Sequence, residues 1–253
     1  MSAKPTSSLK RLLNVLDCFS EHHSLWSVED IALKLDISIP TAYRYMKLLV
    51  DAGLLQHHGE SNYTFGSRIL TMDYVVRQTD PVLKASIPIM KELVSKTGFD
   101  CVLSSSYGDQ ILDTYRIESS DKPLLSYGRG RPRPIFKGGA PKIIIAYLPT
   151  RQLRKLFNNH QPVLAENNIP DDWGAFRDYY AKIRNQGYYF SHGELEPHLA
   201  GLAVPINKTE SSGAWAAISL VTELTRFELI DLPKMTNVLS DAAKTISSKL
   251  TNI

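Results

Sequence analysis

From Ser27 to Gly66 two short helical signals, a glycine break and a polar hairpin follow one another with almost no spare chain, and few folds accommodate that order. Ser27 to Leu35 opens on a hydroxyl able to cap free amides, with Asp30 three residues on in a capping-box position. The apolar face of this segment is Val28, Ile31, Ala32 and Leu35. Asp36-Ile37-Ser38 makes a turn. Ser38 and Pro40 then open a second helix, because a proline in the first turn removes no intrahelical bond. Gly53 ends it, as a left-handed residue does at a helix C-terminus. Leu54 to Phe65 reads as a strand, a polar tip and a returning strand, closed by Gly66. Helix, turn, helix and hairpin at this spacing predict a winged helix-turn-helix.

Within the second helix Ala42, Met46, Leu49 and Val50 recur at helical spacing and are assigned to the core, which leaves Thr41, Arg44, Tyr45 and Lys47 on or near the outer side. Hydroxyl, guanidinium and ammonium groups donate to phosphate oxygens, and an arginine fork also fits guanine in the major groove. These four residues, with His57, His58 and Asn62 on the wing, are the candidate contacts to double-stranded DNA. Residues 1–68 carry seven Lys or Arg against seven Asp or Glu, yet residues 37–50 hold Arg44 and Lys47 and no acid, so the presumed DNA face is locally positive. With so few cations per chain, useful affinity requires two or more copies on one site. Fold alone leaves open an adaptor whose winged helix binds protein.

The 253 residues, 43% of them hydrophobic, leave room for a second and larger domain with its own core. No apolar run approaches the roughly 20 residues that span a bilayer, and Met1-Ser2-Ala3-Lys4-Pro5 lacks a signal-peptide core, so no membrane partner and a cytoplasmic location are expected. Cys18 and Cys101 fall in apolar settings and read as buried, reduced thiols.

Leu9, Leu12, Leu13, Leu16 and Phe19 form a helical stripe expected to complete the first core. After the wing, 67–79 reads as a connecting helix, interrupted at Asp80-Pro81. The expected division is therefore a winged helix-turn-helix over 1–66, a helical linker over 67–80 and a third region over 81–253. In that region Gly108-Asp109 joins two strands, 101–107 and 110–116, in a hairpin. Further strands are read at 199–206 and 214–221, and helices at 141–147, 150–158, 173–186 and 226–250, the last broken near Pro233. The pattern is α+β, an antiparallel sheet with packed helices.

Four stretches together resemble the IclR-type bacterial transcriptional regulators over nearly the whole chain. They are Ile37 to Met46 with Thr41 and Arg44; Leu48-Leu49-Val50-Asp51-Ala52-Gly53-Leu54-Leu55; Tyr63-Thr64-Phe65-Gly66; and Gly187-Tyr188 through Gly193-Glu194 to Leu202-Ala203-Val204-Pro205-Ile206. The resemblance implies a winged helix bound to a palindromic or pseudopalindromic operator, a GAF-like domain that binds a small organic effector, commonly a carboxylate or aromatic catabolite, and homodimers, often paired into tetramers, with dimer and tetramer both left open. Matched position to position, it also implies a pocket lined by Leu125, Tyr127, Gly138, Gly139, Ala140, Ser191, Leu199 to Gly201, Ser219 and Val221.

The chain departs from the family at Gly138-Gly139-Ala140-Pro141-Lys142-Ile143, where a Thr-Ala-x-Gly-Lys-Ala pattern is usual. The amides of Gly139 and Ala140 remain available to an anion at a helix start; the alternative is a Gly-Gly turn that merely ends a strand. Upstream, Arg129, Arg131 and Arg133 read either as ligand clamps or as solvated edge residues, with at most one reaching the ligand. Phe136, Tyr127 and Tyr188 are candidates for an apolar wall. His192, Glu194, Glu196 and His198 alternate in a way that permits a metal site, but the expectation is no metal and no cofactor, with Glu194 structural or effector-facing. An α+β enzyme is the rival class, and no Gly-x-Ser-x-Gly, Gly-x-Gly-x-x-Gly, phosphate-binding loop or Cys-x-x-Cys supports it.

Overall fold

Ser7 accepts a hydrogen bond from the Lys10 amide at 3.3 Å and starts α1 (Ser8–Asn14), which gives way to a 3₁₀ turn at Leu16–Cys18. The computed structural model describes residues 7–120, 128–207 and 214–251. Two units, Met1–Thr79 and Asp80–Ile253, divide the chain. α1 is shorter than its leucine stripe predicts. Leu9 and Leu13 stay exposed, while Val15 and Phe19 enter the core, because the tighter turn after Asn14 rotates the buried face.

The rest of the first unit follows the expected order. β1 (Trp26–Ser27) leads into α2 (Val28–Leu35), where Ser27 Oγ accepts from the Asp30 amide at 3.1 Å and donates to the Asp30 carboxylate at 2.7 Å. Asp36 takes the left-handed conformation (φ 51°) in the turn to α3 (Ile39–Asp51). β2 (Leu55–His58) and β3 (Asn62–Phe65) form the wing in the register His58↔Asn62 to Leu55↔Phe65. β1 adds a third strand through Trp26↔Tyr63, a pairing too short to leave a period in the sequence. α4 (Ser67–Thr79) closes the unit and has no buried residue.

In the second unit Asp80 Oδ1 accepts from the Val82 and Leu83 amides at 2.8 and 3.1 Å and caps α5 (Pro81–Thr97). There follow β4 (Asp100–Tyr107), β5 (Gln110–Ile117), α6 (Gly139–Ala146), α7 (Thr150–Leu164), α8 (Trp173–Gln186), β6 (Tyr189–His192), β7 (Leu199–Asn207), β8 (Ala214–Glu223), α9 (Leu224–Phe227) and α10 (Leu232–Thr251). The strands make one antiparallel sheet in the order β5-β4-β8-β7-β6. Residues of α5 and α10 pack on one face against Leu103, Leu202, Ile218 and Leu220; those of α6, α7 and α8 pack with Ala203 and Ala217 on the other. Burial on both faces explains why Leu199 to Ile206 reads as an almost continuous apolar run. β6 has no counterpart in the sequence reading, and α7 continues six residues beyond the expected Asn158, through Pro162 to Leu164.

Candidate functional site

α3 turns Arg44 and Lys47 to solvent and half-buries Thr41, whose Oγ1 lies 2.9 Å from Ser38 Oγ at the helix start. Tyr45 does not join them: it is 5% exposed. It falls three residues after Ala42 and four before Leu49, which puts it on the buried stripe. From there it supports Arg44, whose guanidinium carbon lies 5.7 Å from the ring centre. The exposed aromatic of this helix is Tyr43, one turn before Lys47, and the same spacing identifies it. On the wing His57 and His58 are exposed and Asn62 is half-buried; the His57 ring leans on Tyr63 with centres 4.7 Å apart. Gly66 fastens the wing to the end of α3. A Cβ there would lie 2.8 Å from the Leu55 carbonyl oxygen and closer still to that of Gly53. Arg68 adds a hydrogen bond to the Ala52 carbonyl at 2.9 Å.

In the second unit Gly138, Gly139, Ala140, Ser191, Leu199, Gly201, Ser219 and Val221 line one cavity, with Arg133, Glu194, Leu195, Glu196 and Ala200. Its volume is about 30 Å³, space for little more than a water molecule. Leu125 and Tyr127 lie outside the described residues. Strand register explains the convergence. The pairs Ser191↔Gly201 and Gly201↔Val221 set three residues in one row of the sheet, and Ser219, two residues from Val221, shares their face. α6 starts against the neighbouring row, Tyr189↔Ala203↔Ser219. Gly138 caps it with φ 83°, and a Cβ on Gly139 would meet the Ala203 Cβ at 2.8 Å, so the two glycines let a helix start press onto the sheet. The alternative of a plain strand-ending turn is thereby excluded. The Gly139 and Ala140 amides, in the first turn, have no intrahelical acceptor.

Glu194 is hydrogen-bonded to groups other than His192, Glu196 and His198. Its Oε2 accepts from the Gly138 amide at 3.0 Å and from Lys142 Nζ at 2.7 Å, and its Oε1 from the Tyr189 hydroxyl at 2.7 Å. Lys142 has no role assigned to it from the sequence. A lysine inside Gly-Ala-Pro-Lys-Ile-Ile-Ile-Ala is the signal, since a buried ammonium requires a carboxylate. Burial first, then hydrogen bonds with Tyr179 and Glu194, push the Tyr189 phenol well above its ordinary range, so it is a neutral donor. Glu196 stands 3.9 Å from His198, and among the described residues no group of three or more His, Cys, Asp or Glu gathers to hold a metal ion.

Of the three arginines, Arg133 lines the cavity and faces Asp113 at 3.4 Å, whereas Arg129 donates to the Thr114 carbonyl. Burial raises the Asp113 carboxyl, against Arg133 and a 2.6 Å hydrogen bond from Ser104, which lower it. Of the aromatic candidates for an apolar wall, Tyr127 lies outside the described residues and the other two are not on the cavity. Phe136 packs edge-on to His160, and Tyr188 lines a separate groove along α10. Leu195, Leu199 and Val221, packed with Val102, are the apolar side of the cavity. Cys101 is buried, and burial pushes its thiol far up, so it is inert at neutral pH.

A winged helix with a basic exposed helix face, carried in one chain with an α+β domain that encloses a polar-lined cavity, defines a DNA-binding regulator with a separate sensory domain. Residues 8–59 match the IclR helix-turn-helix domain and residues 74–248 match the bacterial transcriptional regulator IclR C-terminal domain; the chain belongs to the IclR family of bacterial transcriptional regulators. It is similar to the HTH-type transcriptional regulator KipR of Bacillus subtilis, 26% identical over 211 residues that cover 83% of this chain and 84% of that one. It is likewise similar to the HTH-type transcriptional regulator XynR of Escherichia coli, 25% identical over 245 residues and 96% of each chain. The fold is shared with an IclR homolog of Microbacterium hydrocarbonoxydans solved in complex with 4-hydroxybenzoate, at a TM-score of 0.77 and 19% identity over 98% of this chain and 100% of that one.

Proposed function

We propose that this regulator binds a palindromic or pseudopalindromic operator as a homodimer and that a small carboxylate, among them aromatic acids of catabolic pathways, modulates that binding from the second unit. The observation that carries the reading is the meeting of Gly139, Ser191, Gly201 and Ser219 around one cavity at a helix N-terminus. First-turn amides, the helix dipole and Arg133 favour an anion there. Leu195, Leu199 and Val221 offer an apolar flank. The relatives named above are regulators of transcription, which favours this reading over catalysis.

On the DNA side Thr41, Arg44 and Lys47 are assigned to the major groove and its phosphates, with Tyr43 in the place first given to Tyr45, and His57, His58 and Asn62 to the backbone beside the wing. α4 supports self-association. Leu70, Tyr74, Val75 and Val76 are all exposed on this one helix, more apolar surface than a monomer usually leaves there. Effector and operator then favour different states of the dimer, and each changes the affinity for the other by the same factor.

Operator binding by Arg44→Ala and Lys47→Ala tests the DNA assignment. Each variant is expected to bind less tightly and to lower the salt slope by about one. Unchanged slopes in both would remove α3 from the interface.

A further inference from the structure

We propose that Asp100 and Ser219 together read a hydroxyl of the effector, so that the effector carries a hydrogen-bond donor at the end opposite its carboxylate; this rests on the effector reading above. Asp100 is the first residue of β4 and is fully buried. Its Oδ1 accepts from the Ser119 amide at 2.8 Å and the Ser119 hydroxyl at 2.9 Å. Among the described residues its Oδ2 has no hydrogen-bond partner. Ser219, 6% exposed and on the cavity wall, holds an Oγ in the same condition. A buried carboxylate oxygen left unsatisfied is costly, so it calls for a partner, either a ligand group or an ordered water.

Register places the two together. Asp100 pairs with Val221 and Val102 with Ser219, so Asp100 and Ser219 are diagonal neighbours on one face of the sheet. Such neighbours stand roughly 7–8 Å apart. That separation is between backbones, and a hydroxyl set between the two side chains would donate to Asp100 Oδ2 and accept from Ser219 Oγ, each at about 2.7 Å. A carbonyl has no hydrogen for Asp100; an ammonium could donate to both oxygens but would leave the Ser219 hydroxyl proton without an acceptor, whereas a hydroxyl serves both.

The carboxylate end is fixed by α6, whose Gly139 presses on Ala203 of β7. β7 and β4 are separated by β8 alone, two strand spacings or about 10 Å. An aromatic ring or an aliphatic chain of similar length, with a carboxylate at one end and a hydroxyl at the other, bridges that distance. The closed cavity reaches Val221 and stops one strand short of Asp100, so binding such a ligand extends it along the sheet.

Titration calorimetry of the full-length protein with matched acids tests this, using benzoate against 4-hydroxybenzoate and hexanoate against 6-hydroxyhexanoate. A site built to bond a hydroxyl rejects the analogue that lacks it, so the hydroxylated member of at least one pair is expected to bind tenfold or more tightly. That preference should fall toward unity in Asp100→Asn and in Ser219→Ala, and the double variant should lose no more than either single one, because one hydroxyl serves both residues. Ser219→Ala carries the test if Asp100→Asn does not fold. Equal binding of plain and hydroxylated acids would assign the Asp100 oxygen to a buried water and overturn the inference, leaving a carboxylate effector in place. A preference that survives both substitutions would overturn it too, and no binding of any acid would count against the inference and the effector reading alike.

Discussion

Gly139 and Tyr180 show how single residues position the cavity and how each can be challenged. An alanine at 139 drives its Cβ to 2.8 Å from that of Ala203 and 3.3 Å from the Tyr189 carbonyl oxygen, with no flexible chain end to give way. Gly139→Ala is therefore expected to lower stability by about 1–3 kcal/mol, read as a lower urea midpoint at unchanged slope. Tyr180 is a fully buried phenol whose hydroxyl has no partner among the described residues, and burial holds its proton well above the ordinary 10.0. Below pH 10 the folded and unfolded chains both keep that proton. Above it the unfolded chain releases a proton that the folded chain retains, so stability falls as pH rises. Tyr180→Phe should leave stability at pH 7 equal or higher and make the alkaline loss shallower in denaturation series from pH 8 to 11; a steeper loss would contradict this sign. At this scale the sequence was legible where spacing decides the matter, and the Tyr45 assignment failed because Val50 was counted into the core stripe and Tyr45 out of it. Asp100 left no signal at all. Its burial depends on β4 lying beside β8, a pairing more than a hundred residues apart.

Among the elements, the wing and α3 act as one piece because Gly66 meets the carbonyl oxygens of Gly53 and Leu55. Backbone contacts of that kind cannot relax as a side-chain end can. Gly66→Ala is expected to cost several kcal/mol by overpacking, in the upper part of the range of about 1–3 kcal/mol or beyond, and to abolish specific DNA binding at temperatures where the native chain still binds; normal binding and melting would show that the wing can shift. Caps and turns made α2 and α3 readable, since Ser27 holds its expected amide and Gly53 is left-handed; Asp172 and Gly187 bound α8 in the same way. β1 and β6 were not readable. Two and four residues are too few for a period, and both owe their extended form to a partner strand. α7 passed a proline that a local reading treats as a stop, held by the burial of Leu153, Leu156, Phe157 and Leu164.

For the whole molecule the central claim is linkage between operator and effector, and typical couplings of this kind are about 1–3 kcal/mol, a five- to 150-fold change in affinity. The cavity is far below the volume of a small organic acid. Glu194 to Glu196, a stretch of its wall that is neither helix nor strand, is the part expected to yield. The α+β order could be read from the chain because strand patterns flank Gly108-Asp109 and helical ones follow, whereas the Glu194, Lys142 and Tyr189 contacts beside the cavity come together only in the folded chain. The most direct measurement is fluorescence anisotropy of the full-length protein on DNA from upstream of its own gene, across a panel of small carboxylates and aromatic acids, with Gly201→Val as the control. A Cβ at 201 already lies 3.0 Å from Ser191 Oγ, so the valine fills the cavity. The account predicts salt-sensitive, sequence-specific binding that one acid shifts at least fivefold in the native protein and not in Gly201→Val. Specific binding that no acid shifts, or a shift that survives the filled cavity, would contradict it.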